Sequence, residues 1–225
     1  MKNISVGIRL VTAFIVISLL TSVVGFMGYK GLTSTKGYLD TGNKVYLPAM
    51  QELATIRFNL RNIVVAQRTL LMEHLSPQER KRQLDNVQAA RQTYQQAMAA
   101  FEALPHSAEV DALWRQFKQL IQETRAVNDK VAAVVAEWEK DMANEDKAAK
   151  AEEAVIGLGG EANRKLNDAI AQVMSATLKQ AQADVRVADS DTDRLNTIML
   201  VLSVLAPLAS VAAGLVVTRS IVTPL

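Results

Sequence analysis

The chain has 225 residues with 25 Lys and Arg against 23 Asp and Glu, no cysteine and two histidines. Lack of cysteine excludes a disulfide framework and a thiolate metal site, and His74 and His106 stand far apart without ligand-like spacing, so no metal and no other cofactor is expected. Lys2, Arg9, Lys30 and Arg219 fall outside residues 31–194, which leaves that stretch 21 basic against 23 acidic side chains and argues against nucleic acid as a partner.

Residues 1–9 carry Lys2 and Arg9 and lead into Leu10–Tyr29, twenty residues without a charge. A helix needs about 20 apolar residues to cross a bilayer core. A cleaved secretory signal is the competing reading, but its apolar core usually runs only about 7–15 residues and ends in a small-residue cleavage site. Val23-Val24-Gly25-Phe26-Met27-Gly28-Tyr29 supplies no clean site of that kind. An uncleaved transmembrane helix over 10–29 is therefore expected.

Residues 30–194 are rich in Ala, Gln, Glu, Lys, Arg and Leu and lack the β-branched alternation of a sheet, which is helical composition. Gly37, Gly42 and Pro48 predict a kink or short interruption near the start. From Ala49 to Leu75, Leu53, Ile56, Leu60, Ile63, Gln67 and Leu70 alternate three and four apart, a seam suited to packing against nearly parallel helices. Ser76-Pro77-Gln78-Glu79 then has the form of a capping box with proline at the first helical position. The second helix should run to about Leu104 with Leu84, Val87, Tyr94, Met98 and Phe101 inward. Ser107, followed by Glu109 and Asp111, caps a third helix, whose apolar positions run from Val110 to Trp138. Tyr94, Trp114 and Trp138 stand at core spacing and read as packing residues.

The turn into the fourth helix has two candidate positions, Asp141–Lys150 with Asn144 as cap, and the glycines Gly157, Gly159 and Gly160. At about 1.5 Å of rise per residue, only the earlier turn gives a fourth helix long enough to match the first. In that helix Leu166, Ile170, Val173, Leu178, Val185 and Ala188 are expected to face the core. A second apolar stretch, Leu195–Thr218, follows without a charge between Arg194 and Arg219. Pro207 should kink rather than break it, with the freed carbonyl satisfied by a neighbouring helix or by a hydroxyl such as Ser203. Lys2, Arg9 and Arg219 flank the two spans, and the positive-inside rule puts both termini in the cytoplasm and residues 30–194 outside it. The expected fold is all-α: an antiparallel up-down four-helix bundle continuous with two transmembrane helices.

Arg57, Arg61 and Arg68 fall within about 40° of one another on the first bundle helix. No acidic residue lies three or four positions away from any of them, and Glu52 is the one acid between Ala49 and Met72. They could pair with carboxylates on another helix or stay solvated, or they could capture the carboxylates of a ligand, for which the guanidinium fork is well shaped. Asn163, Arg164 and Asn167 form a polar group on the fourth helix that could complete such a pocket.

The order of short basic start, span, bundle and span, ending in Arg219, Ile221, Pro224 and Leu225, resembles the N-terminal sensory half of a bacterial methyl-accepting chemotaxis receptor. Residues 219–225 are similar to the opening of a HAMP linker. The resemblance implies a homodimer in the inner membrane, a periplasmic ligand domain at 30–194, and transmembrane helices at 10–29 and 195–218. It also implies a small ligand at the dimer interface and, beyond Leu225, an output that reaches a cytoplasmic kinase and adaptor. In the aspartate and serine receptors of that family an Arg-Asn pair is followed by two arginines five and nine positions later. Arg61-Asn62 is similar to the pair, but Ala66 and Leu70 occupy the later positions, which favours a di- or tricarboxylate over an amino acid. The expected ligand residues are Arg57, Arg61, Asn62, Arg68, Asn163 and Asn167. The sensor half of a histidine kinase or cyclase, and a structural membrane bundle without ligand, are the alternative readings. No nucleophile with a base, phosphate loop or metal cluster is legible, so enzymatic activity is not expected.

Overall fold

A computed structural model describes residues 6–222; Lys2 of the basic flank and Pro224 and Leu225 of the HAMP-like ending lie outside the described residues. The secondary structure is helical throughout: α1 (Val6–Thr41), α2 (Leu47–Thr69), α3 (Pro77–Glu102), α4 (Ala108–Glu139), α5 (Glu145–Glu152) and α6 (Gly160–Val222). Two π-helical stretches, Gly42–Tyr46 and Glu153–Gly159, join α1 to α2 and α5 to α6. The chain divides into two units, residues 41–182 and residues 1–40 with 183–225.

The first unit is the four-helix bundle anticipated from the periodicity. Its members are α2, α3, α4 and the run from α5 into the first part of α6. Leu53, Ile56, Leu60, Ile63, Gln67 and Leu70 of α2 are all buried, as their spacing requires. On α4 the buried positions are Val110, Trp114, Phe117, Ile121, Thr124, Asn128, Val131, Val135 and Trp138, again alternating four and three. Full burial of each large aliphatic stabilises by about 1.5–3 kcal/mol, so these two seams hold the bundle together. One core cluster joins Ile56 and Leu60 to Phe101, Trp114, Phe117, Leu166 and Ile170. A second joins Leu70 to Val131, Val135, Trp138, Ala151 and Val155. The first to last order on α2 is thus reversed along the run from α5 into α6, as an up-down bundle demands.

The helix boundaries follow local chemistry. Ser76 accepts from the Glu79 amide while the Glu79 carboxylate accepts from the Ser76 amide, a complete capping box with Pro77 at the first position. Ser107 accepts from the Val110 amide and Asn144 from the Lys147 amide. The turn therefore falls at Asn144, and the glycine segment 157–160 holds no turn. It forms a π stretch instead. Near Pro48, the expected interruption is likewise absorbed by a π stretch, where the Leu47 amide reaches back to Gly42 O. The proline has no N–H to offer and its ring crowds the carbonyl four residues back, so a widened turn relieves the conflict without ending the helix.

Three expected core residues are exposed. Leu84 is 48% and Leu178 47% accessible. Leu178 follows Val173 by five residues, which rotates it about 140° off the seam, and Ala176 and Thr177 take the inward positions. Leu84 borders a groove that neighbouring helices leave unfilled. Val185 is exposed because it lies beyond the bundle unit.

In the second unit, α1 and the C-terminal part of α6 run antiparallel. A Cβ on Gly28 would meet Met199 at 3.6 Å and one on Gly31 would meet Leu195 at 3.7 Å, while Tyr38 bonds Asp191. Their remaining faces leave Phe14, Leu19, Phe26, Leu200, Leu208 and Val211 uncovered. Two helical runs, Leu10–Thr69 and Glu145–Arg219, are long and apolar enough to cross a membrane, consistent with spans flanking the bundle. α6 passes through Pro207 unbroken. The Ser203 hydroxyl does not serve the carbonyl freed by the proline; it donates to Leu200 O at 2.8 Å, because a serine side chain reaches back toward the preceding turn rather than forward.

Candidate functional site

On α2 the buried seam faces inward and leaves an opposite face open to solvent. Gln51, Ala54, Phe58, Arg61, Val65 and Arg68 are exposed on it, alternating three and four apart, and Met72 is exposed just beyond the end of the helix. Phe58, Val65 and Met72 are 64%, 62% and 59% accessible, so the face mixes large apolar side chains with guanidinium groups. Arg61 and Arg68 lie within this face, and Arg57 stands half-buried at its edge.

Among the described residues no ion pair engages Arg57, Arg61 or Arg68. The carboxylates that form ion pairs across helices are taken by other cations: Glu139 by Arg80, Asp129 by Arg91, Glu102 by Lys118 and Glu109 by Lys179. Nε of Arg57 is buried without a hydrogen-bond partner. Burying such a donor unpaired is costly, on the order of 1–3 kcal/mol and more for a charged group. Asn62, next to Arg61, is partly exposed.

The asparagines expected on the fourth helix sit elsewhere. Asn163 is 4% accessible; its Nδ2 donates to Gly159 O at 2.7 Å and to Asn128 Oδ1 at 3.2 Å. It is consumed by the bundle interior. Asn167 donates to Asn163 O at 2.9 Å and keeps a buried Oδ1 without a partner. Thus Arg61, Arg68, Asn62 and Arg57 share one side of α2, whereas Asn163 and Asn167 belong to a polar layer inside the bundle.

That layer was only half visible in the sequence. Thr124 and Asn128 occupy seam positions of α4 between Ile121 and Val131, so their burial follows from the same three-four alternation. What the periodicity does not announce is the approach of Gly159. A Cβ there would sit 3.2 Å from Ala154 O and 3.3 Å from Val131, so α4 and the π stretch approach closely at this position, where a methyl group would have to displace its neighbours by a few tenths of an ångström. The wider π turn presents Gly159 O to the Asn163 amide.

Near the opposite end of the bundle, Trp114 Nε1 donates to Glu102 at 2.9 Å and Lys118 lies 3.0 Å from the same oxygen. Those two hydrogen bonds, the tryptophan's being the larger influence, hold the Glu102 carboxyl below the usual glutamate range. His106 packs on Phe101 and contacts Phe101 O, which accounts for it as a packing residue.

A family model described as a four helix bundle sensory module for signal transduction matches residues 3–191. Neither a curated protein nor a solved structure gives a significant match.

Proposed function

Because this chain belongs to the four-helix-bundle sensory modules for signal transduction, we propose that it is the sensing half of a transmembrane chemoreceptor for a small organic anion. In this reading residues 10–29 and 195–218 cross the inner membrane, residues 30–194 stand in the periplasm, residues 1–9 are cytoplasmic, and residues 219–225 lead into a HAMP linker. The observation that carries the ligand class is the set of guanidinium groups on α2 that no carboxylate of the described chain engages. An ionised ligand supplies the acceptors they lack, in the paired geometry that arginine favours.

The exposed face of α2 also supports a homodimer. Its three-four spacing is the pattern a second helix covers at a small crossing angle, and Phe58 and Val65 on it, with Met72 just beyond the helix end, are large apolar side chains left exposed. Pairing two such faces brings two arginine stripes together. A di- or tricarboxylate matches that doubled set of cations better than a single carboxylate does. Arg61 with Asn62, and Arg68, would hold the ligand; Arg57 would contribute from the edge, and Asn163 and Asn167 would set the position of α6 behind it.

Ligand binding would signal by displacing α6, which runs from this polar layer to the second apolar stretch without interruption in its helical range. Helix shifts of about 1–2 Å at an interface are within the ordinary repertoire of such switches. The displacement would pass to a kinase-control domain beyond Leu225. A thermal-shift series with succinate, malate, citrate and tricarballylate on the chain in lipid nanodiscs tests the ligand class. A ligand selective for the native state must raise the apparent melting temperature. Absence of a shift with every one of these acids at millimolar concentration would remove the proposal.

A further inference from the structure

Away from the arginine face, a groove of about 290 Å³ opens between α2, α3 and α4. Leu70, Leu84, Val87, Val131 and Val135 form its apolar walls, buried Gln67 and Asn128 its inner polar lining, and exposed Gln88 its outer polar edge. Gln67 is only 6% accessible, and its side-chain amide makes no hydrogen bond among the described residues while keeping contact with the groove. Asn128, 5% accessible, uses its oxygen to accept from Asn163 and leaves its nitrogen available to donate. Neither amide is sealed from solvent, so both remain accessible to an occupant of the groove.

The charges at the rim are already neutralised. Arg91 bonds Asp129 at 2.6 Å and Arg80 bonds Glu139 at 2.9 Å, so the groove presents no net cation to an anion and no net acid to a cation. Its volume is adequate: a dry cavity of about 150 Å³ accepts benzene. We propose that this groove is a second ligand site, specific for a small neutral molecule with an apolar body and an amide, carbonyl or hydroxyl end that hydrogen-bonds Gln67 and Asn128. The apolar body fills the space between Val87 and Val131 and covers Leu84. Because the groove spans three helices of one bundle, its occupant would bias their packing independently of the α2 face.

Benzamide, benzoate and toluene are suitable probes, since they differ chiefly in the polar end. Ligand-observed NMR titrations on the chain in nanodiscs should show saturable benzamide binding, with benzoate at least about tenfold weaker because its charge finds no partner. Ala132→Trp, at an exposed position lining the groove, should weaken benzamide at least about tenfold. Gln67→Leu should weaken benzamide about fivefold, the equivalent of one hydrogen bond, while toluene binds as well or better. Arg61→Ala should leave benzamide binding unchanged, which separates this site from the arginine face. The proposal is overturned if benzamide shows no saturable binding, if benzoate binds equally well, or if binding survives both Ala132→Trp and Gln67→Leu undiminished.

Discussion

Tyr38 Oη donates a hydrogen bond to Asp191 Oδ2 at 2.7 Å, tying α1 to α6 just beyond their apolar stretches. That bond, ahead of burial and the neighbouring charges, raises the Tyr38 hydroxyl above the usual phenol range. A raised acid keeps its proton until pH exceeds the folded value, so the contact persists unchanged throughout neutral pH. Since the chain has no native cysteine, disulfide trapping reads this geometry directly. Gly31→Cys with Leu195→Cys should cross-link under oxidation, because a Cβ at Gly31 would lie 3.7 Å from the Cδ1 tip of Leu195, which puts the two helices in side-chain contact at this level. Adding Tyr38→Phe should slow that cross-link several-fold. A rate unaffected by the phenylalanine would mean that Tyr38 does not position the pair.

Two glycines of the π stretch should respond in opposite directions to alanine. At Gly157 a Cβ meets only Glu153 at 3.8 Å, so Gly157→Ala should stabilise by up to about 1 kcal/mol through helix propensity. At Gly159 the same Cβ is pressed against the Ala154 carbonyl and Val131. Overpacking there costs about 1–3 kcal/mol, which exceeds the propensity gain, and it pushes α4 away from Asn163. Urea denaturation of the two variants should show the midpoint rising for Gly157→Ala and falling for Gly159→Ala.

Glu102 gives a pH signature. Its carboxyl is depressed by Trp114 and Lys118, so its contribution to stability is complete above the ordinary glutamate value of about 4.5. It is lost as pH falls through the lower folded value. Thermal melts should therefore weaken below about pH 4.5, and Glu102→Gln should flatten that part of the profile while changing Trp114 emission. The carboxylate is partly solvated, so the effect will be modest. An identical acid profile in the glutamine variant would show that other carboxylates control it.

The architecture was readable in advance wherever it rests on local rules. The three-four spacing of Leu53, Ile56, Leu60 and Ile63 and the caps at Ser76, Ser107 and Asn144 are properties of short segments, and the folded chain obeys them. Leu178 and Val185 escape the periodic rule because apolar character alone carries neither the rotation that five residues impose nor the point where the bundle ends. The glycines near 159 were ambiguous for a different reason. A glycine that breaks a helix and a glycine that lets another helix approach look alike until Val131 is seen 3.3 Å from where its Cβ would be. For the arginines, the sequence showed that no local acid exists, and only the folded chain shows that the carboxylates forming ion pairs across helices, Glu139, Asp129, Glu102 and Glu109, pair with other cations. Asn163 illustrates the converse, since nothing in its neighbours announces that Gly159 O and Asn128 will occupy its amide.

The central claim, that the guanidinium face of α2 binds a carboxylate ligand, is tested most directly by isothermal titration of tricarballylate into the chain in nanodiscs, wild type beside Arg61→Ala. Loss of a charge-assisted hydrogen bond is worth about 1.5–3 kcal/mol, so the variant should bind at least about tenfold more weakly, with an unchanged far-ultraviolet circular dichroism spectrum. Wild-type affinity retained in Arg61→Ala, or no heat of binding in either protein, would contradict the account.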